Sequence, residues 1–243
     1  SVGVTGLSGC SALPFGDEED NEANDVNLPR DAVESIEWPE SPFPVVIPSA
    51  FAETHEERAR EILATIPDNP SIPNGAVAAE LKTNRESVRE DLEAPVEGPW
   101  RIDALSEWRS RRREAATVRG SVRAASGGDD VTDVRERRQE VRTDLASFVA
   151  DHEYRASSPL EAVLAHEPIE HLVAACRRQV RPNPAYPEDP RARPFQAGDA
   201  VGQVESARAV LTDAARIRES YLAERSDVRP QWAALADASD RLR

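Results

Sequence analysis

The chain has 243 residues, 39% of them apolar and 31% charged, with 45 acids against 30 bases and a formal net charge of −15. That is enough apolar side chain for one ordinary domain or two small ones, and too much charge for a protein that crosses a membrane repeatedly. Two cysteines are too few for a disulfide-stapled scaffold, and counterion release needs a basic surface, so no nucleic-acid partner is expected.

Lys82 is the sole lysine, so every other base is arginine, and aromatic residues make up 5% of the chain. At molar salt the Debye length falls to about 3 Å, repulsion between carboxylates vanishes and hydrophobic association strengthens. Strongly hydrated carboxylates keep such a surface soluble. Lysine exposes an alkyl stem, whereas a guanidinium pairs with surplus carboxylates through two hydrogen bonds. The composition resembles that of proteins from extremely halophilic archaea. An acidic protein from a GC-rich genome shares the bias toward Arg, Ala, Val and Asp.

Taken in chain order, the first segment runs to Cys10 through Leu7-Ser8-Gly9-Cys10. This tetrapeptide resembles a lipobox, the processing motif of prokaryotic secreted lipoproteins. Ser8 and Gly9 are small enough for a signal peptidase, and the Cys10 thiol is nucleophilic enough to take a lipid thioether. The resemblance implies that residues 1–10 are the remnant of a signal peptide and that Cys10 is lipidated at the mature N-terminus. It further implies a cell-membrane location on the extracellular side. One acyl chain binds membranes only marginally, so two chains or a second contact are expected. Residues 11–40 carry Asp17-Glu18-Glu19-Asp20 and the single base Arg30. So polar a segment buries too little surface to offset its ordering entropy and reads as a disordered acidic tether. A helical domain over residues 41–243 is expected to follow. With neither an initiator methionine nor a helix stop at its C-terminus, the sequence leaves open whether the chain is a fragment.

Prolines 39, 42, 44 and 48 around Phe43 and Val45 predict extended chain. From Ser49 the pattern becomes helical, with Ala59, Ile62, Leu63 and Ile66 on one face until Pro67. Asn74 is a predicted N-cap for a helix carrying Val77, Leu81, Val88 and Leu92 and stopped by Pro95. Pro99 is placed to open a third helix, along Leu105, Ala115, Val118 and Val122 to Gly127-Gly128. Asp129-Asp130 cap a fourth, with Val134, Val141, Leu145 and Phe148. So short a connection predicts that these two long helices pair side by side as an antiparallel hairpin. Ser158-Pro159-Leu160-Glu161 reads as a capping box, starting a helix to Val180 that Pro168 kinks or interrupts. A proline-rich loop spans 182–194, and a long helix is predicted from Asp199, broken at Pro230, with a terminal piece from Trp232. No segment has convincing strand periodicity. The class is all-α, antiparallel helical hairpins forming a bundle.

The most metal-like cluster is His166-Glu167-Pro168-Ile169-Glu170-His171. A zinc-protease helix needs histidines at i and i+4, whereas a spacing of five turns the rings apart. His166, Glu170 and His171 thus remain weak metal candidates, and Glu-x-x-His, the di-iron signature, is absent. His152 lies on an apolar face and reads as an edge-of-core residue. Cys176 reads as a small buried apolar side chain. Gly198 and Gly202 follow no strand, so no dinucleotide fingerprint is present. Arg109, Arg111, Arg112, Arg113, Arg119 and Arg123 are expected to form a cross-helix ion-pair seam with Glu136, Glu140 and Asp144, or to dock on anionic headgroups. No catalytic residue and no cofactor is implied. The leading reading is a lipid-anchored extracytoplasmic helical protein with a non-catalytic interaction or envelope role. The alternatives are a metal-binding or enzymatic helical module with a non-standard His/Glu/Cys site, and a solute-binding lipoprotein, which would normally need two α/β lobes.

Overall fold

A computed structural model of the chain describes residues 45–96 and 100–241. The lipobox-like tetrapeptide, the acidic stretch to residue 40, prolines 39, 42 and 44, and Pro99 lie outside the described residues. Within them the protein is all-α, as expected, with seven helices and one two-stranded ladder of two residues per strand. The helices are α1 (Ser49–Ala64), α2 (Gly75–Glu93), α3 (Arg101–Ala125), α4 (Val131–Ala150), α5 (Pro159–Gln179), α6 (Pro194–Ala223) and α7 (Trp232–Arg241). The strands are β1 (Arg155–Ala156), between α4 and α5, and β2 (Arg229–Pro230), between α6 and α7. They pair antiparallel, Arg155 opposite Pro230 and Ala156 opposite Arg229.

Local chemistry explains the helix ends. Asn74 Oδ1 accepts from the Ala76 and Val77 amides, and Asp129 Oδ1 accepts from Val131 N at 2.9 Å. Ser158 caps α5 by accepting from Glu161 N at 3.2 Å. The reciprocal half of that capping box is replaced: the Glu161 carboxylate takes Ser157 N and the Ser157 hydroxyl instead. Helix α5 continues through Pro168 without interruption. Helix α6 begins at Pro194, a full turn before Asp199, because proline is well suited to a first turn whose amide needs no partner. It ends at Ala223, which frees Pro230 to sit in β2.

Packing departs from the expected order at one pair. Gly127, at φ 90°, reverses the chain after α3, and Gly128 N donates to Arg123 O at 2.8 Å. Yet α3 and α4 scarcely approach each other along their lengths; both lie against α6, and α3 also packs closely on α1. Helices α5 and α6 form the closely packed consecutive pair. Helix α6 is the axis of the fold, since 17 of its 30 residues are buried on several faces.

Close contact between α3 and α6 depends on small residues. Gly198 and Gly202, four apart on α6, face Thr117 and Ser121, and Gly120 faces Val201. A Cβ at Gly198 would overlap Ser121 Oγ and the Thr117 carbonyl oxygen. These glycines have a packing role, not a phosphate-binding one.

The apolar core falls into two clusters, one along α1, α2 and the second half of α3, the other along α4 and α5, and α6 contributes to both.

Candidate functional site

Between the two clusters lies a layer of charge, and each of four helices supplies it at the corresponding level. In α1, His55 separates Phe51 from Ala59; in α3, Arg109 and Arg112 separate Leu105 from Ala115. In α4, Arg137 and Arg138 stand between Val134 and Val141, and in α6 Glu205 follows Val204 at the boundary. His55 Nε2 lies 2.9 and 3.0 Å from the two oxygens of Asp213, which is fully buried. Arg109 Nη1 donates to Asp213 Oδ2 at 3.0 Å. Arg112 donates to Glu205 Oε1 from Nε at 2.9 Å and Nη2 at 2.6 Å, and its Nη1 sits 3.0 Å from His55 Nδ1. Since guanidinium only donates, His55 Nδ1 accepts and Nε2–H is the donor to Asp213. Both ring nitrogens are thereby committed. Burial alone would raise Glu205, but Arg112 first, then Arg58 and Arg137, hold its carboxyl below the usual range. Burial and Arg137 lower Arg119.

A second polar group lies where α4, β1, α5 and α7 meet. His166, wholly buried, has Nε2 3.1 Å from the Arg155 carbonyl oxygen and Nδ1 3.3 Å from His152 Nε2. The rings of Phe148, His152, Tyr154 and Trp232 follow one another, Phe148 stacked on His152 and Tyr154 tilted against Trp232 with centroids 5.5 Å apart. Tyr154 Oη donates to Glu170 Oε1 at 2.8 Å. Burial, then the Glu170 carboxylate, push the Tyr154 phenol up to about 12. Tyr221 Oη donates to Glu161 at 3.1 Å, and Arg225 pairs with the same carboxylate at 2.8 Å, tying the start of α5 to the end of α6. A cavity of about 180 Å³ opens beside this group, lined in part by Phe148, His152, Tyr154, Glu170, Arg177 and Trp232.

The structure separates the three weak metal candidates. His166 faces the core, while His171 is 78% exposed and pairs along the helix with Glu167 at 2.9 Å. Glu170 points to Tyr154 and His152. Among the described residues, no group of three or more His, Cys, Asp and Glu is placed to hold a metal ion. Cys176 is buried, with Sγ 3.5 Å from Ala207 O, and burial pushes its thiol up to about 11, far from a nucleophilic thiolate.

The arginine seam crosses helices, but with different partners. Glu136, Glu140 and Asp144 stand on the exposed side of α4 and form no ion pair among the described residues. The true partners, Asp213, Glu205 and His55, were not singled out in sequence. Arg111 reaches Glu107 and Ala94 O and lies over Trp108; Arg123 pairs with Asp130; Arg113 is exposed. Two acids inside the apolar stripe of α6, eight residues apart, were the available signal.

Acid should expose the second group's protonation states. Burial first, then His166, push His152 down to about 4, and burial lowers His166 too. Because the folded value lies below the unfolded one, the unfolded chain binds the extra proton. This contribution to stability is complete above about pH 6.5 and falls as pH drops toward 4, by on the order of 3 kcal/mol for His152. Urea unfolding at fixed salt across that window checks it, and His152→Phe should flatten the dependence. The carboxylates Glu161 and Glu205, both shifted downward, lose their contributions at still lower pH.

No curated protein and no solved structure matches the chain. A family model, described as a domain of unknown function, DUF8262, matches residues 50–227, from the first turn of α1 into the α6–β2 connection. This span takes in the charge layer and all the cavity-lining residues except Trp232, so the chain belongs to the DUF8262 family.

Proposed function

We propose that this protein is a lipid-anchored, extracytoplasmic helical module of a halophilic organism, with a non-catalytic interaction or envelope role. The observation that carries the reading is Leu7-Ser8-Gly9-Cys10 followed by the acidic stretch to residue 40. A lipidated Cys10 would tie the helical domain to the membrane surface through a hydrated tether. No described helix is long and apolar enough to cross a membrane, which leaves attachment to the lipid anchor in this reading. The histidine geometry supports a role without catalysis: His55 has both ring nitrogens committed to buried partners, and wholly buried His166 has both of its nitrogens against Arg155 O and His152. The arginine-rich, lysine-poor acidic composition supports a high-salt setting, where buried ion pairs keep their strength while surface pairs are screened.

The test is fractionation of the complete gene product, expressed with its own leader in a haloarchaeal host. The protein should sediment with membranes, and mass spectrometry should find lipid on the Cys10 peptide. Cys10→Ser should move it into the soluble fraction. Membrane association unchanged by that substitution would overturn the anchor.

A further inference from the structure

We propose that the cavity bounded by α5, α7 and the end of α4 binds a small organic ammonium ion. Glu170 and the rings of Tyr154 and Trp232 are its recognition groups.

The argument begins with the protons of the histidine pair. His166 Nε2 faces a carbonyl oxygen and must donate; neutral, it then accepts at Nδ1. His152 Nε2–H is therefore the donor between the rings, and His152 Nδ1 is left as a bare lone pair. That atom is buried and has no hydrogen-bond partner among the described residues, on a side chain only 5% exposed that forms part of the cavity wall. An orphaned buried acceptor is destabilising, because its lone pair has given up water and gained no donor in return. Its uncompensated lone pair adds negative potential to the wall that a cation in the cavity meets.

The remaining wall also specifies the charge of the ligand. The Glu170 carboxylate, 43% exposed, stands at the cavity and takes one hydrogen bond from Tyr154, which leaves acceptor capacity for an incoming cation. The tilted rings of Tyr154 and Trp232 offer negative π-faces. Trp232 is 64% exposed on α7, a helix with no buried residue, so this large ring is held beside the cavity without being part of the core. Two cations lie nearby. Arg218 stacks over Phe148 at 4.3 Å, and Arg177 extends from the rim. Arg177 alone would favour an anion, but an anion would meet the Glu170 carboxylate and a lone pair that repels it. About 180 Å³ is below the usual range for drug-sized ligands and admits only a few heavy atoms.

Butylammonium is the probe, titrated into the full chain while tryptophan fluorescence and the His152 ring ¹⁵N shifts are followed. A saturable change is expected, with the His152 ring resonances moving as the positive charge settles beside them. Butyrate should produce none. Glu170→Gln, which keeps an acceptor for Tyr154, should weaken binding roughly tenfold through loss of the charge. Trp232→Ala should weaken it as well, and Arg177→Ala should leave it as tight or tighter. The last two alter exposed side chains and carry the test should Glu170→Gln not fold. Preference for butyrate, absence of saturation, or an affinity that Trp232→Ala leaves unchanged would overturn the site.

Discussion

Asp213→Ala is expected to destabilise the fold by about 3–5 kcal/mol, measured by urea unfolding at constant salt. Against a typical total of about 5–15 kcal/mol, this takes a large part of the margin. The size follows from what the carboxylate leaves behind. Asp213 is fully buried, and its oxygens receive His55 Nε2–H and Arg109 Nη1. Without it a guanidinium only 13% exposed has lost its counter-charge, and a histidine 1% exposed has lost its acceptor. Asp213→Asn keeps an acceptor but loses the charge, so it should fall between wild type and alanine. The combination Asp213→Leu, Arg109→Met and His55→Phe should recover much of the loss, because apolar groups of similar volume need no partner. High salt should scarcely alter the Asp213→Ala effect, since the pairs are shielded from ions. The exposed pair Arg58–Glu61, at 41% and 65% exposure, should by contrast show only a small, salt-sensitive effect on Glu61→Ala.

The layer of charge also constrains which parts of the helices can pair. Moving α1, α3 or α6 by a turn would carry His55, Arg112 or Glu205 into one of the apolar clusters flanking the layer. Each such move strands a charge, so the bundle is held to one register by a penalty on the alternatives. The arrangement also explains why a family of mainly small aliphatic core residues specifies a single packing: Ala and Val interdigitate in many ways, buried ion pairs in few.

What could be read from the residues alone was the chemistry that acts over one turn. Asn74 and Ser158 cap helices as expected because a cap needs only its own following amides. The helical class was legible for the same reason, each apolar stripe repeating within its own segment. Pairing was not. Gly127-Gly128 forces the chain to reverse, but which helices then press together is decided by α6, some seventy residues later. The arginine run announced ion pairs without naming partners, since Asp213 lies 104 residues beyond Arg109. A sharper signal was present: His55, Arg109, Arg138 and Glu205 each interrupt an apolar stripe, and interruptions at matching levels in four helices imply a shared layer. The cavity was beyond reach. Its Trp232 is brought to Tyr154 beside a two-residue strand pair too short to leave a period-two pattern.

Gly198→Leu should be as damaging as loss of Asp213, and its reason is distance. Glycine inside a helix ordinarily gives up about 0.5–1 kcal/mol relative to alanine, so an added side chain in open space stabilises. Gly75, at the start of α2 with no atom near its virtual Cβ, should show that sign: Gly75→Ala is expected to raise stability by a few tenths of a kcal/mol. At Gly198 the sign reverses. Its Cβ would overlap Ser121 Oγ and the Thr117 carbonyl oxygen and lie 2.9 Å from Ser121 N. Two of these three are backbone atoms of α3, so no rotamer change relieves them and the helices must separate. Separation opens the closest packing in the fold along Gly120 and Val201, where a Cβ on Gly120 would already stand 2.9 Å from the Val201 side chain. Overpacking of this kind typically destabilises by about 1–3 kcal/mol, and a leucine at a backbone contact should reach or exceed the upper end. The origin of each clash sets a second expectation. At Gly202 the severe overlap is with Thr117 Oγ1, a side-chain atom, and the Arg113 carbonyl oxygen is 3.0 Å away. Thr117→Ala should therefore rescue Gly202→Ala to a large extent. Ser121→Ala should rescue Gly198→Ala only in part, because the Thr117 carbonyl remains. Equal rescue in the two pairs, measured by double-mutant unfolding cycles, would mean that the α3–α6 backbones are not in the close contact that these glycines permit.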